Sequence, residues 1–506
     1  MDEKKNYHFE NFDVSFEPER RSRERHAVSK TTPKIETPKI EDNKNETVKM
    51  QLPKMPKIEP KKLVIAAVAL LLVVFIVIGL VSCASASDKG NKKNKEDNAL
   101  SAQELTLENA KISAAQYDYE TAISQVKSLE KYATDAELQS LVSSWEQAIL
   151  NLVEFPHEQI THIFFHSLVY EPELAFDPEN GNQAAGYNLV MTTVDEFNKI
   201  IQSMYDKGYV MVSMHDICTF DEQGNRVDHK IMLPPDKEAF VLSQDDLNYY
   251  HVQDGDGIAT KLVIDENGKV VNEYKKLDGS VTYGDFDVVP LIDRFVEKHP
   301  DFSYKGHKGI LALTGYNGVL GYRTDSVYAD INDPNLDPDQ IEFLQNNPNF
   351  NYEQERAEAK KVADKMKEDG WEFASHTWGH MTVPSSDMDR VTSDTEKWKA
   401  YVESIVGKTD VLIFPNGSDL AGTENYDSSI ERFNYLVSEG FHMYCPVDST
   451  PYWQQKGDNY FRMSRRNLDG YRMYHNPERC EDLFNVSEVL DKKRPLPVPT
   501  MEEIYG

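Results

Sequence analysis

The chain has 506 residues, 40% of them apolar, which is enough for a sizeable core and for about three structural regions. With 85 Asp+Glu against 55 Lys+Arg the net charge is −30, which repels a phosphate backbone and excludes an ordinary nucleic-acid binder. The four cysteines, Cys83, Cys218, Cys445 and Cys480, have no C-x-x-C spacing, so a disulfide scaffold and a thiolate zinc knuckle are excluded and any metal site must use His and carboxylates.

Residues 1–62 hold fifteen Lys+Arg, twelve Asp+Glu and six Pro with little periodicity, the pattern of a disordered tail. From Leu63 to Val81 nineteen residues run without a charge, the length of a membrane-crossing helix. The preceding 62 residues are too many for the charged region of a cleaved signal peptide, so 63–83 is expected to be a single-pass signal anchor. Leu80-Val81-Ser82-Cys83 also resembles a lipidation site. The positive-inside rule places the tail in the cytoplasm and the bulk of the chain outside, and the sparse cysteines suit the surface of a Gram-positive bacterium.

Residues 84–155 are expected to be a polar linker and a helical stalk. Tyr119, Ala122, Ile123, Val126 and Leu129, then Leu138, Leu141, Val142, Trp145 and Ile149, recur at helical spacing, which predicts two helices turning near Thr134. From 156 to 492 short apolar runs alternate with helical periodicity. THIFF, YVMVS, EAFVLS, GILAL, WEFAS, DVLIF and FHMYC read as strands, and Thr192-Thr193-Val194-Asp195 reads as a capped helix start. A hairpin turning at Asn267-Gly268 forms an insertion over about 247–285, and 493–506 reads as a Pro-rich C-terminal tail. Repeated β-then-α units predict an α/β domain, either a parallel barrel or a doubly wound sheet.

Such folds place their chemistry at the C-terminal ends of the strands. Here VLSQ runs into Asp245-Asp246, WEFAS into His376-Thr377-Trp378-Gly379-His380, VLIF into Pro415-Asn416-Gly417, and HMYCPV into Asp448. The H-x-x-x-H spacing predicts two imidazoles on one face of a helical turn, as zinc-type metals prefer. An isolated pair of this kind is often coincidental, and Asp-Asp can simply cap a helix; their joint position at strand ends favours a His/His/Asp metal site with a spare carboxylate. DINDPNLDPDQIE fails the EF-hand pattern, since Pro334, Asn335 and Ile341 fall at positions that need a ligand, a glycine and a ligand.

Segments 161–246 and 286–448 resemble the polysaccharide deacetylase domain (NodB homology, carbohydrate esterase family four). VLSQDD stands where that family has T-F-D-D, and GWEFASHTWGH is similar to its second motif. The resemblance implies a distorted (β/α) barrel, with Asp245 as general base and Asp246, His376 and His380 as ligands of a divalent metal, zinc first and cobalt, nickel or manganese as alternatives. It further implies a hydrolase that removes acetyl groups from a cell-wall or surface glycan, peptidoglycan first. Asn416 and Trp378 are candidates for oxyanion and substrate contacts. Gln244 replaces the family's Phe, and Ile413-Phe414-Pro415-Asn416 lacks the Arg and Tyr of the third motif. Arg465 or Arg466 is therefore expected to orient the base, and His475 is the candidate general acid. An O-acetyl esterase and a glycan-binding envelope scaffold without turnover remain alternatives.

Overall fold

A computed structural model describes residues 101–448 and 450–505. The expected tail, the anchor at 63–83 and the linker up to residue 100 lie outside the described residues. Among the described residues, no helix is long and apolar enough to cross a membrane.

The described residues begin with three helices where the periodicity predicts two: α1 (Ala102–Ala115), α2 (Tyr119–Lys127) and α3 (Ala136–Ile149). α1 was missed because its signal is a cap and not an apolar stripe: Ser101 and Glu104 exchange hydrogen bonds in a capping box. Ala110, Val126, Leu129, Leu138 and Val142 form a small core between the helices. The group does not stand free as a stalk. Tyr117 is buried, stacks on Tyr304, and donates its hydroxyl to the Asp301 carbonyl at 2.9 Å.

β1 (Thr161–Phe165), α4 (Asn182–Val190), α5 (Val194–Asp206), β2 (Tyr209–Met211) and β3 (Glu238–Asp245) follow. Thr193 and Glu196 form the capping box of α5, whose buried Phe197, Ile200, Ile201 and Met204 stabilise the fold by about 1.5–3 kcal/mol each. The insertion is a three-stranded meander, β4 (Lys261–Ile264), β5 (Val270–Lys275) and β6 (Val281–Gly284), one strand more than the expected hairpin. α6 (Val288–Lys298), β7 (Ile310–Leu313), α7 (Tyr352–Glu368), β8 (Glu372–Ser375), α8 (Met388–Trp398), β9 (Val411–Ile413), α9 (Glu431–Ser438) and β10 (Met443–Cys445) continue the alternation. The last elements are β11 (Gln454–Lys456), β12 (Phe461–Met463), β13 (Arg466–Asn467), α10 (Gly470–His475) and α11 (Met501–Tyr505).

The main sheet has the order β11-β12-β10-β9-β8-β7-β3-β1-β13, with β2 also on β3, and every pairing is parallel except β11 with β12. One extended segment, 461–467, pairs with β10 through β12 and with β1 through β13, so the curled sheet's two sides meet there. Alternate residues serve two cores, as the strand period of two requires. Val241, Ile310, Ala312, Ala374, Val411 and Ile413 pack in one, while Leu242, Leu311, Leu313, Phe373 and Leu412 pack with the helices.

The segment expected as a C-terminal tail packs into the domain. Arg494 is buried, pairs with Glu196 at 2.5 Å, and donates to the carbonyls of Asn188 (2.7 Å) and Met191 (2.9 Å) at the end of α4. A buried ion pair 298 residues apart in sequence has no local signature.

Candidate active site

Asp245 ends β3 and is buried. Arg465, in the segment where the sheet's two sides meet, donates Nη1–H to Asp245 Oδ1 at 2.6 Å and to Ser243 Oγ at 3.3 Å, with its guanidinium 4.2 Å from the Phe164 ring centre. Burial raises the Asp245 carboxyl, but the charges of Arg465 and His376 and the Arg465 hydrogen bond outweigh it and hold the group down to about 2. Behind the strand, Gln244 Nε2 donates to both Asp287 oxygens at 3.0 Å, and Asp287 also caps α6 and accepts from Leu168 N and Tyr249 Oη. The amide at position 244 thus satisfies a buried carboxylate, a task a Phe could not perform.

Asp246 leaves the strand through left-handed backbone, φ 57°, and Tyr250 Oη donates to its Oδ1 at 2.9 Å. His376 follows β8, and its Nδ1 lies 2.8 Å from the Ile413 carbonyl. A carbonyl only accepts, so Nδ1 carries the hydrogen and Nε2 is left with its lone pair. Burial pushes His376 down to about 4, so the ring is neutral, the form that ligates a metal.

His376 to His380 is not a helical turn. Asp394 on α8 accepts the amides of Trp378 (2.6 Å) and Gly379 (2.8 Å), and Thr377 and His380 adopt φ 58° and 51°. These contacts with α8 replace the helical hydrogen bonds and still bring the two rings within 5.0 Å of each other. One donor atom from each of Asp246, His376 and His380 lies within 4.8 Å of the others. A carboxylate and two imidazoles so grouped fit a divalent metal of the zinc type. Asp245 stands beside the group, its Oδ2 at 4.0 Å from His376 Nε2.

These groups line a cavity of about 910 Å³. Asn416, at φ 57°, and Trp378 also line it. The Trp378 indole packs so closely on Gly315 that a Cβ there would lie 2.1 Å from the ring, and its buried N–H has no hydrogen-bond partner among the described residues. Two predicted residues are placed elsewhere. Arg466, one position along the strand from Arg465, points away from the cavity and pairs with Asp482 at 2.8 Å; His475 is absent from the cavity lining and contacts the Val498 carbonyl at 2.9 Å. Asp448 turns back to Thr450.

Sequence reasoning missed His166. It directly follows β1, lines the cavity, and holds the Val190 carbonyl at 3.1 Å through Nδ1, which leaves Nε2 without a partner among the described residues. The rule that singled out Asp245 and His376, a strand emptying into a polar residue, applies equally to THIFF-His166.

The family model for polysaccharide deacetylase matches residues 345–433, a stretch that runs from before α7 through His376 and His380 into α9. A solved structure, Streptococcus pyogenes deacetylase PplD in complex with acetate, is similar at 13% identity and a TM-score of 0.31, over 62% of this chain and 96% of that chain. No curated protein matches the sequence. The matched stretch contains His376 and His380, whereas Asp245, Asp246 and Arg465 lie outside it.

Proposed function

We propose that the chain is a metal-dependent deacetylase acting on an N-acetylated cell-wall or surface glycan, peptidoglycan first, presented outside a bacterial membrane by residues 63–83. The observation that carries this reading is the ion pair of Asp245 with Arg465 beside the converging Asp246, His376 and His380.

A divalent ion held by those three residues would supply Lewis acidity toward the acetyl carbonyl and a water. Asp245, kept ionised by Arg465, takes the water's proton as the oxygen attacks the carbonyl carbon. The backbone N–H of Asn416 is a candidate donor to the developing oxyanion. Acting as the imidazolium, with Nδ1–H on the Val190 carbonyl, His166 gives its Nε2 proton to the departing amine nitrogen and the proton taken up by Asp245 makes good the loss, so the C–N bond breaks to give acetate and a free amino sugar. The guanidinium contact from Arg465 supplies what the third motif lacks, which favours turnover over a glycan-binding scaffold.

The test is acetate release from N-acetylglucosamine oligomers and de-O-acetylated peptidoglycan by the full chain, with zinc or cobalt, beside Asp245→Asn. Release should fall by about 10²–10⁴-fold in the variant. A metal-loaded wild type that releases nothing from these substrates, but acts on O-acetylated glycan, would replace the reading with an esterase; no release from either would leave the scaffold.

A further inference from the structure

One wall of the cavity belongs to α8. Arg390, Asp394 and Lys397 lie at i, i+4 and i+7 on one face of that helix, and all three line the cavity. Asp394 is engaged by the Trp378 and Gly379 amides, which ties the helix rigidly to the loop carrying His376 and His380. The two cations are not engaged in this way. Lys397 Nζ lies 4.5 Å from the centre of the Trp378 ring, Arg390 makes only a backbone contact, and neither forms an ion pair among the described residues.

Asp394 interacts with both of these charges, which leaves α8 two lining cations against one carboxylate, and the other lining carboxylates have partners or come from other elements. Asp245 is paired with Arg465, Asp246 faces His380, and Asp469 caps α10 and accepts from Asn467. Glu502 comes from α11 and not from α8. In a chain of net charge −30 the long-range field repels anions, so an excess of cations on one cavity wall is a local exception to the chain's charge. A neutral chain of N-acetyl sugars has no use for such an excess.

We infer that Arg390 and Lys397 are specificity-determining residues for an anionic substituent, a carboxylate or a phosphate ester, on or next to the acetylated sugar. The inference rests on the deacetylase reading of the site and narrows its substrate class from glycans in general to anionic ones. The cations select the substrate, while Asp245 and His166 act on the acetyl group itself.

The experiment compares kcat/KM for acetate release by the full, zinc-loaded chain on three matched oligosaccharides: a neutral N-acetylglucosamine oligomer, one with a carboxylate on the adjacent sugar, and one with a phosphate ester there. At least one anionic substrate should be preferred by about tenfold at low salt, and the preference should shrink at high salt. Arg390→Gln/Lys397→Gln should bring the ratio close to one, and Arg390→Lys/Lys397→Arg should retain most of it. Which anionic substrate is preferred identifies the substituent. Equal rates on neutral and anionic substrates, or a preference that survives the glutamine pair, would overturn the inference. If no substrate is turned over, the deacetylase reading has failed, and calorimetric affinities for the same oligosaccharides decide the anion site separately: tighter anionic binding that is lost in the glutamine pair supports it, and equal binding refutes it.

Discussion

Strand β8 has a histidine and carboxylate cluster at each end, and the two differ in what their histidines are free to do. At the C-terminal end His376 keeps Nε2 unprotonated beside Asp246 and His380. At the N-terminal end Glu372 opens the strand and meets His215 Nδ1 at 3.2 Å and Ser213 Oγ at 2.7 Å; His215 Nε2 meets Asp410, just ahead of β9, at 2.9 Å. Both nitrogens of His215 are engaged by carboxylates. Burial pulls His215 down, but hydrogen bonds to Asp410 and Glu372 more than offset this and push it up to about 11, so the ring is itself the cation. The same residue types therefore make a ligand set at one end and a closed ionic clamp at the other. The difference lies in whether a carbonyl or a carboxylate orients the ring.

The sharpest way to break this contrast is to count metal. His380→Ala should lower bound zinc from about one per chain towards none after dialysis against a weak chelator, with acetate release down by about 10²-fold or more. His215→Ala should keep its zinc. Metal lost from the second variant, or kept by the first, would mean that the clamp and not the cavity is the metal centre. Next in size are the two histidines assigned to proton donation. His166→Asn should lower kcat by about 10²-fold, whereas His475→Asn, with its ring on Val498, should change it by less than about twofold. Equal effects would remove His166 from the reaction.

The smallest expected effect is on stability. The folded-state pKa of His215 is raised above its unfolded value of about 6.5, so its clamp contributes fully below that pH, weakens as pH rises, and is absent above about 11. The Tm gap between wild type and His215→Gln should accordingly be several °C at pH 6, narrower at pH 9, and closed near pH 11. A gap that widened with pH would show the ring to be neutral in the folded chain.

What the sequence disclosed follows from how local each signal is. Asp245, Asp246, His376, His380 and Asn416 were legible because each sits where an apolar run ends, a feature confined to a few neighbouring residues. The choice between Arg465 and Arg466 was not legible. Adjacent residues of a strand face opposite sides, and only the pairing of Arg466 with Ile163 and Asn467 with Phe164 decides which one reaches Asp245. Gln244 looked like a departure from a motif until Asp287, 43 residues away, supplied its partner. The H-x-x-x-H spacing correctly suggested proximity but gave the wrong backbone, because the amides are taken by Asp394 on another element. The C-terminal segment looked like a tail because nothing in PLPVP announces that Arg494 is held by Glu196.

The segment 461–467 has a consequence for synthesis. The chain emerges N-terminus first, so Asp245, Asp246, His376 and His380 are all made before Arg465, which arrives with the strand that joins β10 to β1. Until then the buried carboxylate of Asp245 has no guanidinium to offset its loss of water. Completion of the Asp245–Arg465 pair and completion of the sheet are therefore a single event.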